Sequence, residues 1–163
     1  SNLIETQRRL RVISFEDATT GLQNRAAFSH YQQNACFDGM GQLAVVFIDV
    51  NGLHELNNRL GHQAGDEMLR CVGQLCVQMF PEDRVYRLGG DEFLLIIERK
   101  EQCIVQSTME TLDAKVQEAG YSIAYGIEFR RNCFDLESMV NAADSKMLGA
   151  KAEHYKKFDR RRR

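Results

Sequence analysis

A sheet packed with helices, of α+β or α/β sandwich class, is the fold this sequence predicts, and three observations carry it. Leu43-Ala44-Val45-Val46-Phe47-Ile48 is a continuous apolar run of strand length, the pattern of a central strand covered on both sides. Val85-Tyr86 and Leu94-Leu95-Ile96-Ile97 flank the string Arg87-Leu88-Gly89-Gly90-Asp91-Glu92-Phe93. Two β-prone runs meeting at a Gly-Gly pair predict a β-hairpin, because the glycines admit backbone angles closed to other residues. Elsewhere apolar residues recur at helical spacing. Strands interleaved with helices predict a sheet covered mainly on one face.

The elements follow in order. Residues 3 to 15 read as a charged helix with a thin apolar stripe, Leu3, Leu10 and Ile13. So little apolar surface predicts that it either packs on the domain or continues an upstream helix. Asp17-Ala18-Thr19-Thr20-Gly21-Leu22-Gln23-Asn24-Arg25 is a turn-rich connector, and Asn24 suits the N-cap of the next helix. That helix carries Phe28, Tyr31 and Ala35 on one face and ends at Asp38-Gly39-Met40-Gly41. The apolar strand comes next and delivers Asp49 to its C-terminal end. Val50 to Asp66 is polar text that predicts a short helix, a glycine break and a second helix start. Met68, Leu69, Val72, Leu75, Cys76 and Met79 mark the face of that second helix, and Pro81 closes it. The hairpin follows. Val105, Met109, Leu112, Val116 and Ala119 make another amphipathic helix, ended by Gly120. Tyr121 to Phe129 alternates as a strand, and Leu136, Met139, Val140, Ala143 and Met147 form the last helix face. The domain boundaries expected are 1–16 for an N-terminal signalling or linker helix, 17–158 for the globular domain, and 159–163 for a basic, solvated tail.

Composition narrows the function. A chain of 163 residues with formal charge −2 is one domain with a sizeable core, and it lacks the basic balance of a nucleic-acid binder. No apolar run is long enough to span a membrane. Ser1-Asn2 reads as a cloning remnant or an internal cut, which predicts a piece of a longer protein. Five cysteines without a Cys-x-x-Cys pair predict reduced thiols in a cytosolic setting, most of them small core residues, and no zinc site.

Two constellations carry chemistry. Asp49 lies at a strand exit and Asp91 and Glu92 at the hairpin tip, and if the hairpin pairs beside the first strand Asp49 and Asp91 approach each other. Hard carboxylate oxygens on rigid strands are what Mg²⁺ needs, and Mg²⁺ completes its shell with water and substrate phosphates. The alternative for Asp49 is to cap the following helix. The second constellation is Asn57 and Asp66, an amide and a carboxylate near two glycines. A carboxylate accepts from guanine N1–H and its exocyclic amine together, and adenine has no donor at that ring nitrogen. The alternative for Asp66 is an acid favoured by a helix N-terminus. His62 suits either a loop hydrogen bond or a place beside a nucleobase. Gly-rich phosphate loops of the P-loop and dinucleotide kinds are absent, as are serine triads and paired-His metal motifs.

Three ordered strings resemble the GGDEF-domain family, the diguanylate cyclases, from Asp17 nearly to the end of the chain. Arg87 to Phe93 contains its signature. Asp17 to Arg25 resembles its opening Asp-x-Leu-Thr-Gly-Leu-x-Asn-Arg. Asp49 to Asp66 resembles its Asp-x-Asp-x-Phe-Lys-x-x-Asn-Asp-x-x-Gly-His-x-x-Gly-Asp block. The resemblance implies a palm-type nucleotidyl cyclase fold, a central and mainly antiparallel sheet surrounded by helices. It implies that Asp49, Asp91 and the main-chain carbonyl of Val50 hold Mg²⁺, with Mn²⁺ as a substitute. Asn57, Asp66 and His62 would then face the guanine, and Lys151 the triphosphate. Asp91 and Glu92 become the catalytic acids, one of them helping to deprotonate the ribose 3′-hydroxyl. The reaction implied is condensation of two GTP to cyclic di-GMP with release of two pyrophosphates. Because each 3′-hydroxyl attacks the other nucleotide, two half-sites must meet in a homodimer. An upstream sensory domain, a cytoplasmic location with membrane anchoring possible only elsewhere in the full-length protein, and no nucleic-acid or membrane contact by this domain complete the expectation.

The chain departs from the family pattern in four places. Asn51 replaces the second acid of Asp-x-Asp, and His54 stands where Lys is usual, weakening phosphate neutralisation. Ala150-Lys151 matches the closing motif, but His154-Tyr155 replaces the Gly-Arg beyond it, removing a phosphate-binding Arg unless Lys156 or Lys157 substitutes. Phe80-Pro81-Glu82-Asp83 keeps the Asp of the product-inhibition motif Arg-x-x-Asp and lacks its Arg. An active cyclase is the expectation. A non-catalytic, GTP-binding regulatory module is the alternative, and a dimerisation unit without nucleotide leaves the polar loop unexplained.

Overall fold

The computed structural model describes residues 2–162, with the side chains of Val12 and Ile13 left aside; the expectations for Ser1 and Ile13 lie outside the described residues. Its elements run α1 (Asn2–Phe15), α2 (Arg25–Asn34), β1 (Leu43–Val50), α3 (Leu53–Leu60), α4 (His62–Met79), β2 (Arg84–Gly89), β3 (Glu92–Glu98), α5 (Gln102–Glu118), β4 (Ile123–Arg130) and α6 (Leu136–Arg162). The order is the one the sequence predicts. The four strands form an antiparallel sheet in the order β2-β3-β1-β4.

Strand β1 is buried along its whole length because both of its faces are covered. Ala44, Val46, Ile48 and Val50 pack under α4 and α5 with Met68, Leu69, Val72, Met109 and Leu112. Leu43, Val45 and Phe47 pack on the other side with Phe28 of α2 and Met139, Ala143 and Met147 of α6. The expectation of a sheet covered mainly on one face is therefore corrected. Side chains alternate along a strand, so an unbroken apolar run must have a core on each side. The cysteine expectation is also corrected. Only Cys76 is buried and Cys71 half-buried, while Cys36, Cys103 and Cys133 are exposed, because they lie outside the apolar faces of their segments.

Local signals explain the joints. Asn24 caps α2 by accepting from Ala27 N–H at 3.0 Å. Ala35 is the C-cap of that helix rather than part of it. Gly89 (φ 132°) and Gly90 (φ 51°) turn the hairpin with angles that an L side chain resists. Gly126 of β4 lets α6 lie directly on the sheet: a Cβ there would stand 2.2 Å from Ala143 O and 2.5 Å from Met147 N. Helix α6 does not stop at a tail but continues through the basic stretch to Arg162, with every residue from Ala152 to Arg162 exposed. At the other end α1 keeps Leu3 and Leu10 exposed, so these two residues of its stripe are not covered by the domain.

Candidate active site

Among the described residues Asp49 is the one charged residue in the buried set, only 6% exposed. The sequence places it there because seven apolar neighbours on β1 carry the strand through the middle of the core. Antiparallel pairing of β1 with β3 sets Asp49 opposite Glu92. The hairpin tip is stapled to the strand exit by Val50 N–H donating to Asp91 O at 2.8 Å. Asp49 and Asp91 thus approach each other as the sequence predicts, with Glu92 the register partner of Asp49. Asp49 lies within a strand and caps no helix; Gly52 precedes α3 instead.

The electrostatics are unbalanced. Burial pushes the Asp49 carboxyl up to about 6, and the neighbouring Asp91 adds to the rise while Lys151 opposes it. Lys151 Nζ donates to Asp49 Oδ2 at 3.1 Å, and that bond raises Lys151 against the downward pull of its own partial burial. The pair helps the lysine more than it satisfies the acid, since Asp49 Oδ1 is buried with no hydrogen-bond partner. Glu92 is raised as well, by burial and then by Asp91, with Arg25 at 3.7 Å and Lys151 acting against it. A buried, unpartnered carboxylate oxygen beside further acids is a site short of positive charge.

A divalent cation fits that shortage. The donors are hard oxygens: the carboxylates of Asp49 and Asp91, with the carbonyl of Val50 at the same strand end. Among the described residues no group of three or more His, Cys, Asp or Glu is placed to hold a metal ion by itself. Such a partial set suits a divalent cation that keeps water and takes further oxygens from a bound ligand.

The nucleobase candidates sit on the helices that follow. Asn57 is on α3, and its Oδ1 is buried without a partner. It rests where a Cβ on Gly65 would lie, 1.8 Å away, so the glycine is what makes room for it. His62 opens α4 and is exposed. Asp66 is half-buried beyond the first turn of α4, which holds no acid, so the helix-terminus alternative loses its geometric basis. No hydrogen bond or ion pair among the described residues joins Asn57, His62 or Asp66 to the strand acids.

The departures acquire roles. Asn51 Nδ2 donates to Ser122 Oγ at 3.0 Å and Asn51 N–H to Ser122 O at 2.8 Å, tying the exit of β1 to the start of β4. An amide can donate there and a carboxylate cannot. His54 faces solvent with Asn58 Nδ2 at 3.2 Å. Asp83 is paired with Lys100, whose Nζ also lies 5.5 Å from the Phe80 ring. His154 and Tyr155 are exposed on the free part of α6.

Two residues that sequence reasoning treated as connector turn out to brace the tip. Arg87 donates to both oxygens of Asp17 at 2.9 and 3.1 Å and to Gly90 O at 2.8 and 3.2 Å. Asp17 in turn accepts from Thr20 N–H and hydroxyl at 2.8 and 2.7 Å. Arg25 Nε donates to Leu88 O at 3.1 Å on the same hairpin. The available signal was an Asp and an Arg in two of the matched strings, but nothing in their spacing says that they meet.

The sequence profile described as diguanylate cyclase, GGDEF domain, matches residues 14–157. Diguanylate cyclase DgcS of Shewanella oneidensis is 28% identical over 147 residues, 83% of this chain and 49% of that protein. Diguanylate cyclase VdcA of Vibrio cholerae is 28% identical over 165 residues, 93% of this chain and 48% of that protein. The chain thus spans about half the length of these two relatives. In fold it is similar to the crystal structure of the coiled coil and GGDEF domain of DgcB from Caulobacter crescentus in complex with c-di-GMP. The TM-score is 0.84 at 22% identity, covering 93% of this chain and 88% of that one. With the profile covering most of its length, the chain belongs to the diguanylate cyclase GGDEF-domain family.

Proposed function

We propose that this domain condenses two GTP into cyclic di-GMP, releasing two pyrophosphates, as a Mg²⁺-dependent homodimer in the output position of a larger signalling protein. The observation that carries the reading is the buried Asp49 carboxylate, one oxygen unpartnered, held against the hairpin acids Asp91 and Glu92. Asp49, Asp91 and the Val50 carbonyl hold the cation, and Mn²⁺ can replace it. When bound, it supplies Lewis acidity toward the 3′-hydroxyl and the attacked phosphate. Glu92, whose affinity for a proton is raised by burial and by Asp91, is suited to accept the hydroxyl proton. Asn57 and Asp66 read the guanine edge, His62 lies beside the nucleotide, and Lys151 contacts the triphosphate. The pairing of Asp83 with Lys100, beside Phe80 in place of an arginine, supports an absence of product inhibition through that position.

A second reading, a GTP-binding module that regulates a neighbouring domain without catalysis, is favoured by His54 and Tyr155 at positions where the family has cations. One experiment separates them. The domain at high concentration is incubated with GTP and Mg²⁺, and cyclic di-GMP is sought by mass spectrometry, with Asp91→Ala as control. Product from the wild type and a loss of about a hundredfold or more in the variant is expected. If a version dimerised by a coiled coil fused before Leu3 binds GTP and still makes nothing, the regulatory reading stands instead.

A further inference from the structure

Lys151 reaches Asp49 by a chain of close contacts. Ala124 of β4 is the register partner of Asp49, and Gly126 lies two residues along on the same face. Helix α6 is seated on Gly126 through the backbone of Ala143 and Met147. One turn past Met147, on the same side of the helix, stands Lys151. Its Nζ is 3.1 Å from Asp49 Oδ2, and its side chain is only 28% exposed. A lysine delivered this rigidly to a buried carboxylate does more than wait for a phosphate. It occupies an oxygen that the cation needs.

We propose that Lys151 is a placeholder cation at Asp49 and, by changing partners, the residue that couples metal binding to nucleotide binding. The inference rests on the cation-site reading above and deepens it. Without nucleotide, Lys151 neutralises Asp49 and competes with a divalent ion for Oδ2. A triphosphate offers Lys151 a more highly charged partner, draws it off Asp49 and exposes both carboxylate oxygens at once. Metal and triphosphate therefore bind with positive cooperativity, and free metal alone binds weakly. Asp49 Oδ1, buried and unpartnered, explains why the lysine is only a partial substitute. The ion pair also keeps a buried acid from standing wholly uncompensated in the resting domain.

The test is a sign that structural damage cannot mimic. Mn²⁺ is titrated into the wild-type domain and Lys151→Met without nucleotide, with the free ion followed by electron paramagnetic resonance. The titration is repeated with the α,β-methylene analogue of GTP, which cannot be cyclised. Lys151→Met should bind Mn²⁺ alone about tenfold more tightly, bind the analogue more weakly, and lose most of the mutual enhancement. Lys151→Arg, which keeps the positive charge, should stay near wild type. Lys151→Gln provides the same comparison if the Met variant does not fold. Equal or weaker Mn²⁺ binding by the neutral variants overturns the proposal while leaving the cation site in place. Mn²⁺ binding that Asp49→Asn does not weaken, or none in any variant, overturns the cation-site reading and this inference with it.

Discussion

Gly65 shows how much a single atom position decides. The residue lies inside α4, where alanine ordinarily exceeds glycine in stability by about 1 kcal/mol. A Cβ here would instead stand 1.8 Å from Asn57 Oδ1 and 2.8 Å from its Cγ. Asn57 would have to swing away, and the place on the guanine edge proposed for it would go with it. Gly65→Ala should therefore weaken GTP binding about three- to tenfold by calorimetry, the worth of one lost hydrogen bond or somewhat more. Mn²⁺ binding at Asp49 should be unchanged, because that carboxylate lies on another element. Unaltered GTP affinity with a raised melting temperature would mean that Asn57 does not read the base. At this scale the sequence was informative about identity and poor on partners. Asp49, Asp91 and Glu92 could be named from strand exit and turn tip, because an apolar run and a Gly-Gly pair have fixed consequences. The ion pair of Lys151 with Asp49 spans residues 102 positions apart, and only the docking of α6 on Gly126 creates it.

Elements were legible where a period or a turn residue dictated them, and their joins were not. The hairpin is a case of both. Its strands and glycines follow from local chemistry, whereas its bracing by Asp17 depends on a connector that precedes it by 70 residues. Burial tends to raise the Asp17 carboxyl, but hydrogen bonds from Thr20 and Arg87 outweigh it and leave the group below its usual value of 3.8. A carboxylate with a depressed folded pKa contributes stability that is fully present above the unfolded value. That contribution is lost as pH falls through the folded pKa, so its window lies below about pH 4. Asp17→Asn should cost about 1–3 kcal/mol near neutrality, since Arg87 loses both its charged acceptors. It should also melt with a shallower acid limb than the wild type below pH 4. Denaturant unfolding at pH 7 and at pH 3 measures both effects. Equal destabilisation at the two pH values would show that the pair is steric bracing and not charge.

The whole molecule poses a stoichiometric problem that the fold makes concrete. One sheet offers one set of strand acids, and the proposed reaction joins two nucleotides, so a single copy holds half of what the chemistry requires. The surface suggests how two copies meet. Leu3, Ile4 and Leu10 of α1 are 70%, 60% and 59% exposed, and Leu3 and Leu10 stand one heptad apart. That is the spacing of a coiled-coil seam, and in the proposed dimer the bare stripe of one copy would be covered by the same stripe on the other. Three arginines, Arg8, Arg9 and Arg11, against Glu5 alone make α1 basic, so the isolated pair must be weak and salt-sensitive. Product formed per unit of domain should therefore rise with domain concentration and with ionic strength in the range where charge repulsion limits pairing. Leu3→Glu with Leu10→Glu should abolish the rise and keep activity at its dilute-limit value. Mn²⁺ binding should remain at the wild-type level, because α1 contributes nothing to Asp49 or Asp91. Sedimentation velocity run beside the assay tells dimerisation apart from damage. If the double variant sediments as a monomer and still makes cyclic di-GMP at the wild-type rate, then the two nucleotides meet by an encounter that α1 does not govern.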